Sequence, residues 1–167
     1  NVSIQISKIC ADIDLDEPIV APQVTVPTEI EKQLGMHVDG LIEDGETLQR
    51  GSRGIPDVVL ANLMNHKRLG IHTEMLSDGV LPLIEKGVIT GEEKEIKTGK
   101  LVTCFALGSQ KLYDFVDDNP LVHFKEAGYT NDSAIIRQNP KVTAINSAIE
   151  IDLTGQVCVD TIGKYQY

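Results

Sequence analysis

Gly70-Ile71-His72-Thr73-Glu74-Met75-Leu76-Ser77-Asp78-Gly79-Val80 reads as a short β-strand that delivers a carboxylate, Glu74, to a strand-to-helix turn. Open α/β sheets place their chemistry there, in the crevice beyond the carboxyl ends of the strands. Taken alone, a glutamate at a strand end is more often a solvated or salt-bridged side chain. His72 lies two residues earlier and shares a strand face with Glu74 if the alternation holds, either tuning the glutamate or serving as a structural histidine. Ser77 and Asp78 most simply cap the next helix, expected over 80–86 and stopped at Gly87.

Upstream, Gln49-Arg50-Gly51-Ser52-Arg53-Gly54-Ile55-Pro56 has the order strand, glycine-containing turn, helix N-terminus. Backbone N–H groups converge at such a junction and favour an anion. The same pattern also fits an ordinary strand-helix turn. Pro56 sits at a first helical position, where its missing N–H costs nothing, and opens a helix to about 65. Further out, Thr28 and Glu31 make a capping-box pair, and Ile30, Leu34, Val38, Leu41 and Ile42 recur at helical spacing over 29–42. Strands are expected at 47–51, 71–75, 101–107 and 121–124. Short helices are expected after Ser109, as N-cap, to 117 and over 132–138. Residues 91–100 are charged and polar and read as an exposed connection, with Glu92, Glu93, Lys94, Glu95 and Lys97 solvated. Two long strands, 142–153 and 156–162, join at Thr154-Gly155. Period-two alternation then places Asn146, Glu150 and Asp152 in one polar row, either a site wall or a solvent-facing edge. The β-α-β-α rhythm implies an α/β fold with a mostly parallel, layered sheet.

The chain of 167 residues is 41% apolar, enough for a globular core, but only 4% aromatic with no Trp, so Val, Ile and Leu fill it. A formal charge of −10 argues against a nucleic-acid or anionic-membrane surface. It leaves room for a nucleotide-containing ligand held by local groups. Cys10, Cys104 and Cys158 form no Cys-x-x-Cys pair, and no His pair has metal-ligand spacing, so reduced core thiols and no metal are expected. No apolar run approaches the ~20 residues of a membrane span and no signal peptide opens the chain, which makes the cytoplasm the default. Near the start, Val2, Ile4 and Ile6 alternate as in a strand, followed by a second alternation from 9 to 13. A stretch with Pro18, Pro22 and Pro27 then marks the best boundary.

The Gly70–Val80 wording, together with Gly54-Ile55-Pro56-Asp57, Leu112-Tyr113-Asp114-Phe115-Val116-Asp117 and the run from Ala144 to Val157, resembles the acetyl-CoA hydrolase/transferase family. By this wording the 4-hydroxybutyrate CoA-transferases are its nearest members. The resemblance implies a sheet of the NagB/RpiA/CoA-transferase-like superfamily. It divides the chain into a remnant of an N-terminal domain (1–13), a proline-rich linker (14–27) and a C-terminal catalytic domain (28–167), incomplete at its end.

The resemblance also implies that Glu74 is a covalent nucleophile in a ping-pong exchange of CoA between a short-chain acyl-CoA and a small carboxylate. Coenzyme A is then a substrate, and no cofactor is held permanently. Gly51, Ser52 and Gly54 match the segment lying against the reacting thioester, with Ser52 at the position of the oxyanion donor. Ser52-Arg53 replaces Ile-Gly of the family pattern, so Arg53 either binds a substrate carboxylate or CoA phosphate, or blocks the pocket. His72 and Asn146 are the further candidates, and a homodimer or its multiple is implied. Two alternatives stand beside this reading: an acyl-CoA hydrolase using the same glutamate, and a non-catalytic module.

Overall fold

Short β-branched and leucine-rich segments pair in parallel wherever two of them can be buried on both faces, and that rule builds this molecule. A computed structural model describes residues 5–21, 26–51 and 55–166. In chain order the elements are α1 (Glu29–Asp39), β1 (Thr47–Arg50), α2 (Ile55–Asn62), β2 (Gly70–Ile71), β3 (Met75–Leu76), α3 (Leu81–Glu85), β4 (Leu101–Thr103), β5 (Phe105–Ala106) and α4 (Gln110–Val116). They continue with β6 (Val122–Phe124), α5 (Ala127–Thr130), α6 (Ser133–Ile136), β7 (Val142–Ile145), β8 (Glu150–Ile151), β9 (Val157–Cys158), β10 (Thr161–Ile162) and β11 (Tyr165–Gln166). Strand β1 lies between β2 and β7, parallel to both, with Leu48 opposite Ile71 and Thr143. A parallel bridge from His72 to Val102 extends this group to β4, which pairs in parallel with β6. The expected α/β, mostly parallel architecture is the one observed.

The core lies where Leu48, Ile71 and Ile145 of the sheet meet Val59, Leu60 and Leu63 of α2 and its 3-10 continuation, with Leu76, Val80, Leu83 and Leu112 completing it. Helix α1 starts at its capping box: the Thr28 hydroxyl accepts the Glu31 amide at 3.3 Å, and the Glu31 carboxylate accepts the Thr28 amide at 2.7 Å. Its predicted apolar stripe is only partly buried. Val38 and Ile42 face the core, but Ile30, Leu34 and Leu41 are exposed. Gly35 makes the close approach to α2 instead. A Cβ there would stand 2.4 Å from Asn62 Nδ2 and 3.0 Å from the Val58 carbonyl, so the two helices meet across the missing side chain.

Four expectations are corrected. The long strand over 142–153 stops at Ile145, where β7 loses its partner β1, and resumes only as the two-residue β8. Beyond it, 156–162 breaks into β9 and β10, each in a short antiparallel hairpin, because no parallel neighbour extends the sheet there. The strand over 101–107 divides at Cys104 into β4 and β5. Ile6 opens a 3-10 turn, Ile6–Lys8, and no strand forms over 9–13. Val2, Ile4 and Pro22 lie outside the described residues.

The 91–100 connection is not uniformly solvated: Lys94 is 3% exposed, and its amine donates to the carbonyls of Ile71 (2.9 Å) and Lys100 (2.8 Å). Glu92, Glu93, Glu95 and Lys97 are exposed as expected. The amine thereby links the last carbonyl of β2 to the carbonyl just before β4, giving two main-chain acceptors a donor. No described helix is long and apolar enough to cross a membrane.

Candidate active site

Glu74 interrupts a run of buried residues. Ile71, His72 and Thr73 before it and Met75, Leu76 and Ser77 after it are buried, whereas Glu74 is exposed. The chain bends at Glu74, between β2 and β3, rather than passing directly into a helix. The bend is held by its own carbonyl, which accepts hydrogen bonds from the Cys104 amide (2.9 Å), the Phe105 amide (3.1 Å) and the Thr103 hydroxyl (3.0 Å). The backbone is therefore fixed by two amide donors while the carboxylate faces outward. The single Thr103 hydroxyl proton is shared between this carbonyl and that of Phe105.

Register brings two further candidates to the same end of the sheet. The Arg50 amide donates to the Thr73 hydroxyl at 3.2 Å, and that hydroxyl donates to the Arg50 carbonyl at 3.0 Å. Glu74 follows Thr73 as Gly51 follows Arg50. On the other side of β1, Arg50 is paired with Ile145, and Asn146 follows Ile145. A Cβ on Gly51 would lie 2.7 Å from Asn146 Oδ1, so Gly51 and Asn146 are in direct apposition. Asn146 Nδ2 also donates to Gln49 Oε1 at 3.2 Å. Gly51, Glu74 and Asn146 thus sit at the carboxyl ends of three parallel strands. The Gly51 amide donates to the Ile145 carbonyl at 2.8 Å, which commits it to the sheet rather than to a ligand. Ser52, Arg53 and Gly54 lie outside the described residues.

His72 is placed differently from Glu74. It is 1% exposed, and Nε2 donates to the Thr130 carbonyl at 2.9 Å, an acceptor that assigns the ring proton to Nε2. Tyr129 stacks against the ring at 6.3 Å between centroids, and Nδ1 is buried without a partner among the described residues. Burial pushes the imidazole below its ordinary pKa, the Thr130 bond opposes this, and nearby Lys94 adds to it. The bend at Glu74 stops the alternation that would align the two side chains.

The serine caps are also reassigned. The Ser77 hydroxyl donates to Asp57 in the first turn of α2 and accepts from the Arg50 guanidinium, instead of capping the following 3-10 turn. Asp78 accepts the Ser109 amide at 2.8 Å and the Ser109 hydroxyl, so Ser109 does not cap α4 with its side chain. Asp152 closes its own turn, accepting from the Thr154 hydroxyl (2.7 Å) and the Thr154 and Gln156 amides (2.8 and 2.9 Å), and does not form a site wall with Asn146. These bonds, the Thr154 hydroxyl first, lower its pKa.

Two residues with site contacts were not singled out from sequence: Thr73 and Arg50. The signal for Arg50 was an arginine at an inward position of a strand whose alternate residue, Leu48, is apolar. No group of three His, Cys, Asp or Glu that could hold a metal occurs among the described residues.

A sequence profile of the acetyl-CoA hydrolase/transferase C-terminal domain matches residues 108–167. A succinyl-CoA:acetate/propanoyl-CoA:succinate CoA transferase of Fasciola hepatica is 49% identical over 141 residues, covering 84% of this chain and 30% of that protein. A 4-hydroxybutyrate coenzyme A transferase of Clostridium kluyveri is 43% identical over 163 residues, covering 98% of this chain and 38% of that protein. The crystal structure of a 4-hydroxybutyrate CoA-transferase from Porphyromonas gingivalis superposes with a TM-score of 0.85 at 45% identity, covering 92% of this chain and 39% of that one. The chain therefore spans about a third of the length of the curated relatives it matches.

Proposed function

This chain belongs to the acetyl-CoA hydrolase/transferase family, and from that premise we propose that it carries the nucleophile of a CoA-transferase, Glu74. The observation that carries the reading is the exposed Glu74 carboxylate on a rigid, otherwise buried bend at the carboxyl end of the parallel sheet, beside Gly51 and Asn146. Fixing the backbone while leaving the carboxylate free pre-pays the orientation that a weak nucleophile needs.

The substrates are a short-chain acyl-CoA and a small carboxylate. A Glu74 carboxylate oxygen attacks the thioester carbonyl, and CoA leaves as thiolate, giving a mixed anhydride. The thiolate then attacks the glutamyl carbonyl, releasing the first carboxylate and leaving a glutamyl-CoA thioester. An acceptor carboxylate reverses both steps and departs as the new acyl-CoA. By resemblance to the matching family segment, the oxyanion donor is the backbone N–H of Ser52, and Gly54 belongs to the same segment; the Gly51 amide itself is committed to the Ile145 carbonyl. Such a donor is worth about 3–4 kcal/mol of barrier in other enzymes. Asn146 flanks the thioester, and Arg53 either binds the acceptor carboxylate or a CoA phosphate, or blocks the pocket.

The test is to incubate the full polypeptide carrying these residues with acetyl- or butyryl-CoA, reduce any glutamyl thioester with borohydride, and map the product by mass spectrometry. Reduction at Glu74 is the expected result. Its absence in protein that binds CoA overturns the reading. Free thiol released without an acceptor carboxylate assigns the same glutamate to hydrolysis.

A further inference from the structure

Arg50 is the largest of the fully buried side chains described, at 1% exposure, and the proposed chemistry makes no use of it. Burying a guanidinium is costly unless its donors are matched. Here NH1 meets Ser77 Oγ and, at 3.1 Å, Asp57, while Nε and NH2 have no partner among the described residues. Replacing both partners of a buried ion pair by apolar side chains is often neutral or stabilising, whereas removing one partner alone is costly because the other is left unpaired. The contacts do, however, converge. The Arg50 backbone holds Thr73, and its side chain holds Ser77, so it grips the chain on both sides of Glu74. Through Asp57 it also reaches the first turn of α2, the helix that follows the Gly51–Gly54 stretch.

Resting on the functional reading above, we infer that Arg50 is a positioning residue: through Ser77 and Asp57 it locks the segment carrying Glu74 against the first turn of α2. The lock sets where the Glu74 carboxylate stands relative to Gly51 and Asn146 at the ends of the neighbouring strands. It acts on orientation and so on the maximal rate of acylation, leaving affinity for acyl-CoA largely to other groups.

The test compares Arg50→Met, Arg50→Lys and Ser77→Ala in the full polypeptide. Three quantities are measured: Glu74 acylation rate against acyl-CoA concentration, melting temperature, and amide hydrogen exchange over 73–78 and 101–103. The expected result for Arg50→Met and Ser77→Ala is a maximal acylation rate at least tenfold lower, with half-saturation changed less than threefold. Exchange over 73–78 rises at least tenfold while 101–103 is unchanged. Arg50→Lys, which keeps one charged donor, recovers at least threefold over Arg50→Met.

Acylation within twofold of wild type together with unchanged exchange over 73–78 overturns the inference. So does a loss of melting temperature with deprotection of both segments in Arg50→Met and Ser77→Ala, which makes the residue merely structural. If wild-type protein forms no Glu74 adduct, the functional reading falls by itself. The lock is then decided by exchange: selective deprotection of 73–78 sustains it and unchanged protection removes it.

Discussion

The Thr73 hydroxyl both accepts the Arg50 amide and donates to the Arg50 carbonyl, at 3.2 and 3.0 Å, joining the residue before Glu74 to the residue before Gly51. Thr73 is fully buried, so no water replaces these bonds when the hydroxyl is removed. Thr73→Val is expected to lose about 1–3 kcal/mol of stability, the cost of stranding buried backbone groups. Chemical denaturation measures that loss, and borohydride trapping at Glu74 should slow in parallel.

Glu74→Gln separates stability from chemistry. The side chain is exposed and the bend is held by the main chain, so the unfolding free energy should stay within ~0.5 kcal/mol of wild type. Acyl transfer should fall by a factor on the order of 10³ or more, as when a nucleophile is removed elsewhere. A Gln variant that still turned over at a tenth of the wild-type rate would place the nucleophile on another residue.

Gly51→Ala inserts a methyl group 2.7 Å from Asn146 Oδ1, a contact that forces the amide to move. Asn146 is exposed and swings away at modest cost. The Asn146→Ala change made on top of Gly51→Ala should therefore recover part of the loss. A double-mutant cycle in urea should return a coupling energy of roughly 0.5–2 kcal/mol between the two positions. Strict additivity would mean that they do not touch.

Lys94 supplies a pH signature. Burial lowers its amine from 10.5 to about 8. Between those two values the unfolded chain holds a proton that the folded chain has released, so this group makes stability rise with pH across the window. Below pH 8 both states are protonated and the contribution is flat. The nominal size of the rise is roughly 3 kcal/mol for a shift of this order. The neutral amine still has two N–H groups, matching the Ile71 and Lys100 carbonyls. Lys94→Met should lose those bonds and also flatten the stability profile from pH 8 to 10.5 relative to wild type. Equal slopes in the two proteins would show that the folded amine titrates normally.

Much of the local structure was legible from residue order. The Thr28/Glu31 pair did start α1, Pro56 did fall in the first turn of α2, and the alternation of strand and helix signals did give a parallel sheet. These features depend on interactions spanning three or four residues, or on one face of one element. The misreadings share a cause. Lys94 looked solvated amid four charged neighbours, and Ser77 and Ser109 looked like caps. Each found a stronger partner at least 20 residues away: Ile71 for Lys94, Asp57 for Ser77 and Asp78 for Ser109. Local propensity carries no information on which distant carbonyl or carboxylate will be left unpaired.

By itself the sequence determined the fold class, the family and Glu74 as the leading candidate, because strand and helix periodicity and a long matching motif are written along the chain. Only the tertiary structure decided that Gly51, Glu74 and Asn146 come to one edge, that His72 turns to Thr130, and that Arg50 is buried between Ser77 and Asp57. Those outcomes follow from the register of parallel strands. That register is set by how Leu48, Ile71 and Ile145 pack into one core, and residues so far apart in the chain cannot specify it until they meet.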